Sequence, residues 1–136
     1  LNKYLKKVND SNAPGIADEI YNAFKLGRAA IVAGDMDLRD AQAAIIKDKL
    51  DDVIIYKAID YLRSGGSYID AGQWPEACHA LSEGYGFILS LQFTDHFDNS
   101  HSNAWIGQLM ADDGFWSRTP AELNSMADVI ESQMGW

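Results

Sequence analysis

Residues 16–33 carry the sequence IADEIYNAFKLGRAAIVA, and this stretch decides the fold class. Apolar or small residues recur in it at three- and four-residue steps, which places them on one face of an α-helix: Ile16, Ile20, Phe24, Gly27 and Ile31. Pro14-Gly15 precedes the stretch and Gly34 follows it, as is typical of helix starts and stops. The sequence therefore predicts a helix from about Ile16 to Ala33 with one apolar stripe.

A second, longer helix is predicted from about Leu38 to Ile69, with Asp37 as its N-cap. Its main stripe and the residues that widen the stripe around the side are all apolar or aromatic: Ile46, Leu50, Val53, Ile54, Ala58 and Tyr61, then Ile55, Ile59 and Leu62. A helix this apolar in its middle is expected to have neighbours on more than one side. Gly65-Gly66 is expected to bend this helix or to end it early.

Two further main helices follow along the chain. Pro75 is suited to the first position of a helix that runs to about Phe93. The polar stretch 94–102 is expected to be a loop, and a short helix is expected near residues 103–111. Thr119-Pro120-Ala121-Glu122 is a capping box with proline at the first helical position, so it predicts the start of the last helix.

These segments predict an all-α fold, an up-and-down bundle of four main helices. No alternating strand pattern competes with the helical periodicity. At 136 residues the chain is long enough for a single domain with its own core, so one helical-bundle domain is predicted over 1–136.

Composition and charge exclude several classes of function. The formal net charge of −9 argues against nucleic acid as a partner, because phosphate binding needs a basic surface. No segment reaches the roughly 18 uninterrupted apolar residues of a membrane span. The single cysteine, Cys78, excludes an internal disulfide framework.

The third helix carries the best candidate site. His79 and Glu83 are four residues apart and so share one helical face, which Ser82 and Gly86 continue. Imidazole and carboxylate at this spacing are able to hold a divalent metal or iron, with further ligands from the second helix, where Asp60 and also Asp70 are available. The alternative is a hydrogen-bonded pair on a solvated surface.

Small residues in the third helix admit two interpretations. Gly84 and Gly86 fall within one turn, and each costs about 1 kcal/mol relative to alanine in a helix. Close approach of another helix is one reason for them, and a ligand against exposed backbone is the other.

Arg28 follows Gly27 at the apolar end of the first helix. If it is partly buried it needs a carboxylate partner, since an unpaired buried charge is costly, and Asp60 or Glu83 could supply one. A structural ion pair is the first interpretation of Arg28 and anion binding is the second.

Three stretches resemble the C-terminal half of imelysin-like proteins, in particular a branch of bacterial envelope lipoproteins. They are residues 23–31, the long helix around 54–62, and residues 79–93. The resemblance implies a protein of two helical-bundle halves, of which this chain is the second and the preceding N-terminal half is the partner. It also implies a location in the periplasm or anchored at the outer membrane, an envelope partner, and an association with iron uptake.

The residues depart from the imelysin pattern at the motif on which peptidase activity has been argued. Imelysin carries Gly-x-His-x-x-Glu, whereas here Ala77 and Cys78 precede His79, and three residues separate His79 from Glu83. The leading hypothesis is therefore a non-enzymatic envelope binding module, linked to iron or haem uptake. The alternatives are a metal-dependent hydrolase that uses His79 and Glu83, and a purely structural half that docks on the rest of the protein.

Overall fold

The computed structural model describes residues 2–134, and no strand occurs among them. The all-α helical-bundle prediction is confirmed. Two short 3₁₀ turns, Leu91–Phe93 and Gly114–Ser117, accompany six α-helices: α1 (Asn2–Ser11), α2 (Ile16–Ala33), α3 (Met36–Asp70), α4 (Trp74–Ser90), α5 (Asn99–Leu109) and α6 (Pro120–Ser132). No helix in this described part is both long and apolar enough to cross a membrane.

The chain forms two compact units, residues 1–53 and residues 54–136, and their boundary falls within α3. The first unit contains α1, α2 and the beginning of α3. The second unit contains the rest of α3 with α4, α5 and α6. Each unit is described separately below.

In the first unit, α2 has the predicted bounds, Ile16–Ala33. Gly15 and Gly34 flank it with φ of 98° and 75°, a left-handed backbone that glycine adopts without steric cost. Its buried face is shifted by one residue at two positions of the predicted stripe and contains mostly small residues: Ile16, Ile20, Ala23, Gly27 and Ala30. Phe24 and Ile31, which belong to the predicted stripe, are 56% and 55% exposed.

The start of α3 differs from the prediction. The helix begins at Met36, so Asp37 lies in its first turn instead of capping it. Asp35 makes the bond of an N-cap, because its Oδ1 accepts from the Leu38 backbone N–H at 3.0 Å. The prediction missed this because two aspartates of equal capping propensity lie two residues apart.

Gly65 and Gly66 neither bend α3 sharply enough to divide it nor end it, since α3 continues to Asp70. Both glycines instead make room within the second unit. A Cβ on Gly65 would lie 2.5 Å from Leu81 Cδ2, and a Cβ on Gly66 would lie 3.3 Å from Pro120 Cα. The two glycines thus allow α4 and the start of α6 to approach α3.

The second unit has one continuous apolar core. The side-facing residues of α3 are buried more completely than its predicted main stripe, and the predicted face of α6 is buried throughout. The core consists of Ile55, Ala58, Ile59, Leu62, Leu81, Ile88, Leu91, Phe97, Trp105, Leu109, Leu123, Met126, Ala127 and Ile130.

The polar stretch after α4 is shorter than predicted. Helix α5 starts at Asn99, within the expected loop, because Asp98 is an N-cap whose carboxylate accepts from the backbone N–H groups of Ser100 and His101. The capping box at Thr119 is confirmed, since its hydroxyl accepts from Glu122 N–H and the Glu122 carboxylate accepts from Thr119 N–H. Asp98 was missed because histidine, instead of Glu or Gln, occupies the third helical position of its box.

Candidate functional site

The predicted face of α4 is an exposed helix surface. His79 Nε2 lies 3.2 Å from Glu83 Oε1, while the His79 side chain is 75% exposed and that of Glu83 is 24% exposed. Ser82 Oγ donates to the His79 carbonyl oxygen at 2.8 Å, a bond within the same helix. Gly86 is exposed, and a Cβ added to it would meet no atom within 4 Å. These four residues share a face, as the spacing predicted, but they enclose no cavity.

The predicted metal ligands do not come together as a site. Within residues 2–134 no group of three or more His, Cys, Asp or Glu side chains is placed to hold a metal ion. His79, Glu83 and Asp60 therefore form no three-ligand group. Asp60 instead pairs with Lys57, whose Nζ lies 2.7 Å from Asp60 Oδ2. Asp70, the other predicted source of a ligand, is exposed.

Lys57 is a buried charged residue that the sequence analysis did not identify. It is only 5% exposed, pairs with Asp60, and its Nζ lies 4.8 Å from the centre of the Tyr61 ring. The Tyr61 ring in turn stacks on Phe87 with 5.6 Å between centroids. The spacing of Lys57 and Asp60, three residues apart in an apolar stretch, is the signal that could have revealed this buried pair.

The two glycines of α4 have different roles. Gly84 is buried, and a Cβ on it would lie 3.2 Å from Tyr61 Cβ, so close approach of α3 explains this glycine. Gly86 faces open space and has no packing partner. The helix-approach interpretation is confirmed for Gly84 alone.

The structure contains a groove in the first unit, between α2 and α3. We call it the α2/α3 groove; it has a volume of about 230 Å³. We call the buried small residues of its lining, Ala23 and Gly27, its floor. The larger apolar side chains and the two arginines of the lining form what we call its walls. The lining residues are Ala23, Phe24, Gly27, Arg28 and Ile31 from α2, with Arg39, Gln42, Ala43 and Ile46 from α3.

Close contact of the two helices forms the floor of the groove. A Cβ on Gly27 would lie 3.3 Å from Gln42 Cβ, tighter than an ordinary van der Waals contact. The close approach of α3 thus explains why a glycine occupies position 27, which the periodicity of the apolar stripe did not indicate. The close approach leaves the flanking side chains of Phe24 and Ile31 above the floor, where they remain more than half exposed.

Arg28 lines this groove and is exposed, so the partial burial on which its first interpretation, a structural ion pair, depended is wrong. An exposed guanidinium is solvated and needs no carboxylate to offset a desolvation cost. Within the described residues of the first unit, no carboxylate pairs with Arg28. Arg39, on the opposite wall, is already paired, because its Nη2 lies 2.6 Å from Asp40 Oδ1.

Apolar side chains continue outward from the groove along α2. Tyr21 is 62% exposed, which is similar to Phe24 and Ile31. Together with Arg28 these residues form what we call the exposed α2 stripe: Tyr21, Phe24, Arg28 and Ile31. Large aromatic and branched side chains gathered on one exposed surface are typical of an interaction site.

A second groove lies between α5 and α6 in the second unit, with a volume of about 520 Å³. The two charged residues at this groove and its adjoining end, Glu122 and Arg118, are engaged in local bonds. Arg118, at the adjoining end, donates to the carbonyl oxygens of Gln108 and Ala111 at 2.8 and 3.2 Å, and so caps the end of α5. Glu122 belongs to the capping box of α6. Because these groups stabilise helix ends, this groove is a weaker candidate than the α2/α3 groove.

The comparison with known protein families identifies the family of this chain. The family described as a domain of unknown function, DUF4856, matches residues 1–136. The chain belongs to the DUF4856 family. No curated protein and no solved structure matches the chain significantly. Membership of DUF4856 carries no statement about imelysin-like proteins, so that resemblance stays a prediction.

Proposed function

We propose that this DUF4856 domain is a non-enzymatic binding module and that the α2/α3 groove is its binding surface. The observation that carries the proposal is the exposure of Phe24 and Ile31 beside a groove with a small-residue floor. Exposed apolar side chains of this size lose contact with water when a partner covers them, and each buried Å² of apolar surface contributes roughly 25 cal/mol.

The chemistry of the groove favours binding over catalysis. Its lining contains no histidine, cysteine, serine or carboxylate, so it offers no nucleophile and no general base. The two arginines are suited to recognition of an anionic group. The hydrolase alternative relies on His79 and Glu83, which have no third ligand among the described residues.

The resemblance to imelysin-like proteins supports a more specific version of the proposal. In that version the module belongs to the bacterial cell envelope, takes part in iron or haem uptake, and has the preceding bundle half or an envelope protein as its partner. This version depends on the quoted motifs alone. Fractionation of cells that express the full-length protein tests the location, and recovery in the cytosolic fraction would contradict it.

Equilibrium titration of the full-length protein tests the binding proposal. The ligands are ferric iron, haemin and amphipathic helical peptides, and each is titrated into the native protein, Phe24→Asp and Leu26→Asp. Leu26 is the matched control because it is a 45% exposed apolar residue of the same helix that does not line the groove. We expect saturable binding that Phe24→Asp abolishes and Leu26→Asp preserves. Absence of saturable binding, or equal loss in both variants, contradicts the proposal.

A further inference from the structure

The spacing of the residues in the exposed α2 stripe indicates which kind of secondary structure in a partner would fit against it. Tyr21, Phe24, Arg28 and Ile31 are separated by three, four and three residues. This is the heptad spacing by which one helix presents a continuous line of side chains to another helix. A strand or an irregular loop would not match that line over its three turns.

The α3 wall of the groove has the same periodicity. Arg39, Gln42 or Ala43, and Ile46 follow at steps of three or four residues. From Ala23 to Ile31 the groove follows α2 for eight residues, roughly 12 Å at 1.5 Å per residue. Two helices that contact each other through a small-residue floor and present matching periodic walls leave a site for a third helix.

The size of the groove disfavours an engulfed small molecule. Pockets that enclose a drug-sized ligand have volumes of roughly 300–1,000 Å³. The α2/α3 groove has about 230 Å³, and the side chains beside it are half exposed. An occupant therefore lies along the groove and inserts side chains into it.

Charge specifies one side chain of the occupant. Arg28 occupies the third position of the exposed α2 stripe and pairs with no carboxylate of the first unit, whereas Arg39 is paired with Asp40. Covering Arg28 with apolar groups alone would desolvate an unpaired guanidinium at a large cost. A carboxylate on the occupant removes that cost by a bidentate pair.

We propose that the α2/α3 groove binds an amphipathic α-helix of a partner protein, with apolar residues at heptad spacing and an Asp or Glu that faces Arg28. This inference rests on the proposed function and adds the identity of the ligand class. The acidic chain, with 20 Asp and Glu against 11 Lys and Arg, makes a second copy a poor partner for its own surface.

A displayed library of short helical peptides tests the inference. The peptides carry a heptad pattern in which every position facing the groove is randomised, and they are selected on the full chain with removal of peptides that bind Phe24→Asp. We expect enrichment of apolar residues at heptad spacing with Asp or Glu at one central position. On Arg28→Glu, the same peptides should bind at least about tenfold more weakly, and a fresh selection should prefer Lys or Arg.

The outcomes separate the two proposals. Groove-dependent peptides without an acidic preference, or with affinity unchanged in Arg28→Glu, overturn the inference and keep the binding module. If no peptide distinguishes Phe24→Asp from the native chain, the helix inference is overturned. The binding module is overturned as well if the titrations with iron and haemin also fail. Two controls remain: saturable oleate binding lost in Phe24→Asp assigns the groove to a fatty acid, and dimerisation lost in Phe24→Asp assigns it to a second copy. Either result overturns the helix proposal.

Discussion

The two units of this chain differ in how they use apolar residues. Of the buried apolar residues among the described positions, six lie in residues 2–53 and sixteen in residues 54–134. The exposed large apolar residues show the opposite distribution. Seven lie in the first unit, which is the shorter one, and six lie in the second. The second unit thus resembles an ordinary folded core, whereas the first keeps much of its apolar surface available. This difference is what the proposed binding surface of the first unit would require.

Two isoleucines provide the sharpest test of this difference. Ile88 is fully buried in the core of the second unit, and Ile31 is 55% exposed in the first. We expect Ile88→Ala to lower the free energy of unfolding by about 2–5 kcal/mol, through lost burial and a cavity. Ile31→Ala should change it by less than about 0.5 kcal/mol. Urea unfolding followed by circular dichroism measures both, and equal losses would show that Ile31 is buried in solution.

Two glycines test the close packing of the second unit with smaller changes. Alanine at Gly65 would force its Cβ within 2.5 Å of the buried Leu81 side chain. We expect Gly65→Ala to destabilise by about 1–2 kcal/mol, since overpacking exceeds the gain in helix propensity.

Gly86→Ala is the matched control for Gly65→Ala. It adds the same methyl group to a helical glycine where nothing lies within 4 Å. We expect it to stabilise the protein by about 0.5–1 kcal/mol. Thermal unfolding of the two variants should therefore give shifts of opposite sign. A loss of stability in Gly86→Ala would indicate a neighbour on the exposed face of α4.

Acid sensitivity should also differ between two helix starts, that of α5 in the second unit and that of α2 in the first. In the second unit, bonds from Ser100 and His101 hold the pKa of Asp98 well below its usual value of 3.8. A depressed pKa contributes stability that is fully present above the unfolded value and is lost as the pH falls below it. Helix α2 of the first unit begins after Gly15, which has no side chain to titrate.

Asp98→Asn isolates this contribution, because asparagine also caps helices but does not ionise over this range. We expect the variant to lose less stability than the native chain when the pH is lowered from about 5 to about 2. Asp113→Asn is the control, since Asp113 makes no capping bond through its side chain. Melting temperatures measured across this pH range test the prediction. Parallel curves of melting temperature against pH for all three proteins would contradict it.

Local signals in the sequence were sufficient for most helix bounds. The bounds of α2 follow from Gly15, Gly34 and the periodicity between them, and the start of α6 follows from the Thr119 capping box. Such signals involve residues only a few positions apart, so they can be recognised in the sequence without knowledge of the tertiary contacts. The continuation of α3 through Gly65 could not be predicted in this way, because Leu81, sixteen residues later, occupies the space beside it.

The candidate site was less predictable for a related reason. Periodicity shows which face of α2 is apolar, and it placed Phe24 and Ile31 on that face. Whether that face is buried depends on how many helices pack against it. The exposure of Phe24 and Ile31 shows that part of the apolar face of α2 has no helix packed on it. Arg28 was recognised as a candidate residue with two interpretations, a structural ion pair first and anion binding second. The first required partial burial, and Arg28 is exposed.

His79→Ala is expected to have the smallest effect on stability of all these variants. A small effect would indicate that His79 holds no metal ion. The side chain is 75% exposed, and its ion-pair contact with Glu83 lies on the surface of the second unit. Exposed pairs of this kind contribute about 0–1 kcal/mol, so stability should change little. If His79 instead held a metal, the variant would lose both the metal and part of its stability, because metal binding adds to the free energy of folding. Elemental mass spectrometry of the native chain and His79→Ala, purified without chelator, therefore distinguishes a solvated pair from a metal ligand. One ion per chain, lost in the variant, would favour a functional site in the second unit over the proposed one in the first.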